Sequence, residues 1–153
     1  MEQTTIRSSG PDDRARSTTV EIPVRPEFVA RARSTVESAA TRAALEPDRV
    51  DDLVVAVSEA CTNAIEAQLR IGELSPIELT CSVDGGVLEV RVQDRGAGFA
   101  PDDLRPRPPL HDPGHLELER GWGIQLMRAL VDELVFDLTQ QGTCVLLRMS
   151  LPS

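Results

Sequence analysis

The chain is 153 residues long, 41% hydrophobic, and carries a formal net charge of −9. That size suits one domain with a real core rather than two, and the acidic balance argues against nucleic acid as the main partner, since no basic excess exists to neutralise phosphates. All sixteen basic side chains are Arg, so a Walker-type phosphate loop, which needs its Lys, is excluded.

Cys61, Cys81 and Cys144 are odd in number and form no C-x-x-C pair. They read as small buried apolar residues in a reducing compartment. No segment reaches the length of a membrane span, and the N-terminus lacks the apolar core of a signal peptide. A soluble, cytoplasmic protein is expected, with no membrane partner.

Residues 1–16 are almost free of apolar side chains and are expected to form a flexible tail, leaving 17–153 as the domain. Ser17 to Arg25 alternates Val20, Ile22 and Val24 as a strand does, and Pro23 assigns it to an edge or a bulge. Pro26 to about Leu45 reads as a helix with Pro in its first turn. After the Glu46-Pro47 break, Val50, Leu53, Val54, Val57, Cys61, Ala64 and Ile65 recur at spacings of three and four. They predict a long helix from about Asp48 to Leu69, ended by Gly72.

Ile77 to Val83 and Val87 to Gln93 alternate with period two around Asp84-Gly85-Gly86, the pattern of a β-hairpin with a type I′-like turn. About twenty irregular residues follow; such a loop inside a compact domain is often a lid, here about 99–120. Gly121-Trp122-Gly123-Ile124 then opens a helix with Ile124, Met127, Leu130, Val131 and Leu134 in its core stripe. Leu134 to Thr139 and Thr143 to Leu151 form a last hairpin. The order suits an α+β two-layer sandwich, mostly antiparallel sheet with helices on one face.

Four stretches can carry chemistry. Glu59 and Asn63 stand one turn apart on a helix face roughly opposite the apolar stripe. A carboxylate there can accept a proton and a carboxamide oxygen can ligate a hard cation, although such a pair alone is more commonly a solvated face. Asp94-x-Gly96-x-Gly98 offers a fixed carboxylate able to accept hydrogen bonds from an exocyclic amine, beside glycines that let backbone approach a flat ring. Gly121-x-Gly123 at a helix start offers free N–H groups and the positive end of a dipole to a phosphate. Thr143 brings a hydroxyl at a strand start. Turn, helix-end and strand residues are the ordinary readings of the last three, taken singly. His111 and His115 with Asp112 lie in a Pro/Gly loop that does not fix a metal-binding spacing, and no nucleophile elbow is present for a hydrolase.

In this fixed order, E-x-x-x-N, D-x-G-x-G, G-x-G and G-T, the motifs resemble the Bergerat-fold (histidine-kinase-like) ATP-binding superfamily. The wording S-E-A-C-T-N-A-I, D-R-G-A-G-F and E-R-G-W-G-I-Q-L-M is similar to the bacterial anti-sigma-factor serine kinases, over about residues 17–151. The resemblance implies that Glu59 is the general base for a protein hydroxyl and that Asn63 holds Mg²⁺ against the phosphates. It implies that Asp94 binds the adenine amine, with Gly96 and Gly98 shaping the base pocket and Thr143 supporting the contact. Gly121 and Gly123, with the Trp122 and Ile124 amides, would cradle phosphates under the lid, and Arg95, Arg105, Arg107 and Arg120 are candidates to balance triphosphate charge. The implied cofactors are ATP and Mg²⁺. The implied partners are a sigma factor, an anti-anti-sigma (STAS-type) protein and a second copy in a homodimer, expected through the Pro23 strand and first helix. An ATP-sensing, partner-binding regulator without phosphotransfer is the alternative. Two departures stand out: Ile65-Glu66-Ala67-Gln68 lacks a His common in relatives, and Trp122 stands where they carry Leu, Arg or Met.

Overall fold

The computed structural model describes residues 3–9, 12–96 and 119–153, with 3–9, 12–16 and 119–121 described by their backbone. Among the described residues, six strands form one antiparallel sheet in the order β1-β2-β3-β4-β6-β5: β1 Gln3–Ser9, β2 Asp12–Ile22, β3 Ile77–Asp84, β4 Val87–Gln93, β5 Glu133–Thr139 and β6 Gly142–Ser150. Three helices, α1 Val29–Arg42, α2 Pro47–Arg70 and α3 Glu119–Leu130, cover one face. A short 3-10 turn, Pro26–Phe28, leads into α1. The two-layer α+β architecture agrees with the sequence pattern.

The spacing of α2 explains its central place. Leu53, Val57, Cys61 and Ile65 are buried along it and meet Leu79 of β3, Val90 of β4 and Leu147 of β6 in one hydrophobic core. Truncating any of the Leu or Ile side chains among these to Ala would cost about 2–5 kcal/mol. The helix ends as expected at Gly72: its N–H donates to the Leu69 carbonyl at 3.2 Å, and the Glu73 N–H donates to that of Gln68 at 2.9 Å. In the β3–β4 turn both Gly85 and Gly86 take positive φ, +59° and +80°, as a type I′ turn between Asp84 and Val87 requires.

The three thiols are buried and free, also as expected. Burial pushes Cys61 and Cys81 up to about 12. On the uncovered face, Arg148 is held between Glu89 (2.7 Å) and Glu133 (2.9 Å), tying β6 to both neighbours.

Two expectations need revision. Residues 3–9 and 12–16, expected as tail, run as β1 and the first part of β2. Antiparallel pairing is made by backbone groups, so a segment poor in apolar side chains can still add to an edge; Thr4, Thr5 and Ile6 supply β-branched residues there. Consequently β2 is not the edge strand. Pro23 falls just past its last pair, Ile22 with Ile77, where a missing N–H removes nothing from the ladder.

Candidate active site

The site is organised along one face of α2. Glu59, Asn63 and Ala67 lie four residues apart in that helix, hence one above the other. At one end, Glu59 lies against Gly123 of α3, where a Cβ would stand 2.9 Å from the carboxylate carbon. At the other, Ala67 packs on Gly96 just beyond β4, where a Cβ would stand 2.7 Å from the Ala67 Cβ and 3.0 Å from its carbonyl carbon. At Gly96 a side chain would meet the Ala67 backbone, whereas at Gly123 it would displace the Glu59 carboxylate from its place.

Asn63 sits between these contacts and is 7% exposed. Helical spacing alone turns it away from the apolar stripe. The structure buries it because α3 also packs against α2. Its Nδ2 has no hydrogen-bond partner among the described residues.

Asp94 continues β4 into the site and is 3% exposed. Its Oδ1 accepts the Gly96 N–H at 2.8 Å and the Thr143 N–H at 3.2 Å, and its own N–H donates to the Thr143 carbonyl at 2.9 Å. Burial pushes the carboxyl above its ordinary value, while the two amide donors act in the opposite sense. Thr143 is fully buried at the start of β6. Among the described residues, the buried side-chain polar atoms lacking a partner are Asn63 Nδ2, Thr143 Oγ1 and Trp122 Nε1. A buried polar group left unpaired costs about 1–3 kcal/mol. All three belong to residues singled out from the sequence as ligand-binding, which is where such a cost is tolerated.

Helix α3 begins at Glu119, two residues before the expected start. Gly121 therefore lies in the first turn, with amides free of the helix ladder, whereas Gly123 and Ile124 fall at or beyond its end. Gly123 earns its place by its approach to Glu59. Gly98, nearly all of the expected lid, Arg105, Arg107, His111 and His115 lie outside the described residues. Arg95 is exposed, and Arg120 is placed in α3 by backbone.

Glu59 also borders an open groove of about 420 Å³ between α1 and α2, lined by Val29, Arg33, Ser58, Thr62 and Leu69 among others. One carboxylate thus stands between the α3 backbone and a surface accessible to a macromolecule. Sequence reasoning passed over Gln68. It continues the apolar stripe of Val57, Cys61 and Ala64, and a polar residue on such a stripe is the signal that could have found it.

The chain matches the histidine kinase-like ATPase domain family over residues 22–149. It is 36% identical over 119 residues to the serine-protein kinase RsbW of Bacillus subtilis (strain 168), covering 75% of this chain and 74% of that one. It is 31% identical over 119 residues to RsbW of Listeria monocytogenes, covering 76% of each. Among solved structures, the RsbU and RsbW domains of Rv1364c from Mycobacterium tuberculosis give a TM-score of 0.64 at 18% identity, over 88% of this chain and 32% of that one. The SiaB–SiaC complex from Pseudomonas aeruginosa gives 0.59 at 14% identity, over 87% and 88%. At those identities the structural likeness speaks for the fold.

Proposed function

This chain belongs to the histidine kinase-like ATPase domain family, alongside the RsbW serine-protein kinases, and from that premise we propose that it is an ATP- and Mg²⁺-dependent anti-sigma factor kinase. It sequesters a sigma factor and phosphorylates a serine or threonine of an anti-anti-sigma protein. The observation that carries this reading is that, among the described residues, Asn63, Thr143 and Trp122 each keep a buried side-chain polar atom without a partner, and that Thr143 adjoins the buried Asp94 carboxylate.

Asp94 accepts a hydrogen bond from the adenine amine, and the Thr143 hydroxyl supports that contact. Gly96 and Gly98 shape the base pocket. Gly121 and Trp122 offer amides to phosphate, with Gly123 and Ile124 behind them in α3; the lid expected at about 99–120 lies almost wholly outside the described residues. The Asn63 carboxamide suits a hard cation, since amide oxygens and phosphate oxygens are the ligands Mg²⁺ takes. No cluster of three His, Cys, Asp or Glu able to hold a metal occurs among the described residues, so Asn63 would share the ion with nucleotide oxygens. Bound there, Mg²⁺ would neutralise phosphate charge. Glu59 takes the proton of the acceptor hydroxyl as its oxygen bonds to the terminal phosphorus and the anhydride bond to ADP breaks. The groove beside Glu59 gives that hydroxyl a route in. A homodimer through the Pro23 end of β2 and α1 is supported by a concave surface of about 470 Å³ that includes Pro23, Val24, Leu74 and Pro76. Cytoplasmic placement suits this role; no helix among the described residues is long and apolar enough to cross a membrane.

The test is calorimetric titration with ATP, with and without Mg²⁺, on wild type and Asn63→Ala. Mg²⁺-dependent binding that Asn63→Ala loses supports the site. Failure of the wild type to bind overturns it. Binding without phosphate appearing on any partner serine or threonine would leave an ATP-sensing regulator instead.

A further inference from the structure

The peptide joining Asp94 to Arg95 is gripped at both ends by glutamine side chains. On one side the Asp94 carbonyl accepts a hydrogen bond from Gln93 Nε2 at 2.8 Å. On the other, the Arg95 N–H donates to Gln68 Oε1 at 2.8 Å. Gln68 is fully buried, and its Nε2 donates to the carbonyls of Ser75 at 2.7 Å and Glu73 at 3.2 Å. One carboxamide thus uses its acceptor on the backbone next to Asp94 and its donors on the loop between α2 and β3. Its orientation is therefore assigned by its partners, because a flipped amide would set oxygen against two carbonyls.

We infer that Gln68 is a positioning residue for base recognition: it holds the Asp94–Arg95 peptide so that the Asp94 carboxylate is aimed at the exocyclic amine of the nucleotide. The argument is local. Gly96 N–H, two residues on, is one of the two donors to Asp94 Oδ1, so rotation of the intervening peptide would move both the carboxylate's own backbone and the amide that orients it. Thr143 N–H is the other donor, at a longer 3.2 Å. Among the described residues, Gln68 is the side chain that fixes the amide end of this peptide, and it does so from the same helix that carries Glu59 and Asn63. Together with the close packing of Ala67 on Gly96, this side chain sets the base pocket relative to the catalytic face.

The inference rests on Asp94 binding adenine. Its test is base discrimination: calorimetric affinities for ATP and for inosine triphosphate, which carries a carbonyl where adenine has its amine. Gln68→Met keeps length and apolar bulk but removes all three hydrogen bonds. Wild type is expected to favour ATP by at least about tenfold, because a buried acceptor facing a carbonyl is left unpaired. In Gln68→Met the ATP affinity should fall about tenfold with inosine triphosphate changed less than about twofold, so that the ratio approaches one. Gln93→Leu, which loosens the same peptide from the uncovered sheet face, should move the ratio in the same direction and serves if Gln68→Met does not fold. Equal weakening of both nucleotides, or a preserved ratio, would show Gln68 to be ordinary packing and overturn the inference. Wild type that binds neither nucleotide would instead sink the ATP reading itself.

Discussion

The carboxylate of Glu59 on α2 rests against the backbone of Gly123 on α3, with a Cβ at 123 falling 2.9 Å from its Cδ and 3.1 Å from its Cγ. The obstacle is the end of a flexible side chain, so Gly123→Ala should fold. It should even gain helix propensity, worth about 1 kcal/mol. What it displaces is the proposed base. A misplacement of the order of an ångström can cost about 100-fold in rate. Phosphotransfer to a partner serine should therefore fall about 10- to 100-fold, with ATP affinity within about threefold of wild type. Single-turnover transfer measured beside calorimetry separates the two; equal losses in both would show that Gly123 serves binding instead.

Glu59→Gln should leave the same space filled and the nucleotide bound. It removes the proton acceptor, a contribution of about 10²- to 10⁴-fold in comparable sites. Radiolabel transfer from ATP to the partner should drop by that order while ATP affinity holds. Unchanged transfer would remove Glu59 from the chemistry.

Asp94 carries a pH prediction whose sign follows from its burial. Its folded carboxyl lies above the ordinary value, so the folded state binds that proton more tightly than the unfolded chain does. The ionised group is thus a cost to stability at neutral pH, relieved as pH falls through the folded pKa. Asp94→Asn keeps an Oδ1 acceptor for Gly96 and Thr143 and discards the charge. It should melt at or above the wild-type temperature at pH 7, with the difference shrinking in acid as the wild-type carboxyl protonates. ATP binding should be lost, because the substitution replaces the free carboxylate oxygen with an NH2 group, which cannot accept a hydrogen bond from the adenine amine. Thermal melts from pH 7 to 4 check the first part; a mutant less stable than wild type at pH 7 contradicts it.

The helices and hairpins were legible because their signals are local. The three- and four-residue spacing from Val50 to Ile65 needs only a helix and one core, and Gly85-Gly86 needs only its two positive φ angles. Asn63 was legible as a residue type but not as a buried one, since its burial depends on α3, more than fifty residues later. The pairing of β1 with β2 left no apolar pattern to read, because it is carried by backbone groups. The role of Gln68 depends on three backbone partners at Glu73, Ser75 and Arg95 that no spacing rule connects. Long-range contacts, then, are where the sequence fell silent.

Gly142 gives the sharpest stability prediction, because it meets backbone rather than a side chain. Its φ of +145° is one that L side chains rarely adopt, and a Cβ there would collide with the Asp94 carbonyl oxygen and come within 2.8 Å of Arg95 Cα. Neither atom can swing aside without dragging the segment that carries the base-binding carboxylate. Gly142→Ala should therefore lose about 2–4 kcal/mol, combining backbone strain with overpacking, and lower the melting temperature by about 4–16 °C for a domain of this size. Gly86→Ala is the control: its φ is +80°, yet nothing lies within 4 Å of its Cβ, so only the left-handed penalty of about 1–2 kcal/mol applies. The two variants also part in function. Gly142→Ala should weaken ATP binding along with stability, because the Asp94 peptide must shift to admit the methyl group, whereas Gly86→Ala, at the far end of β4, should bind ATP as wild type does. Equal melting temperatures for the two would mean that the Gly142–Asp94 approach is looser in solution than the structure describes.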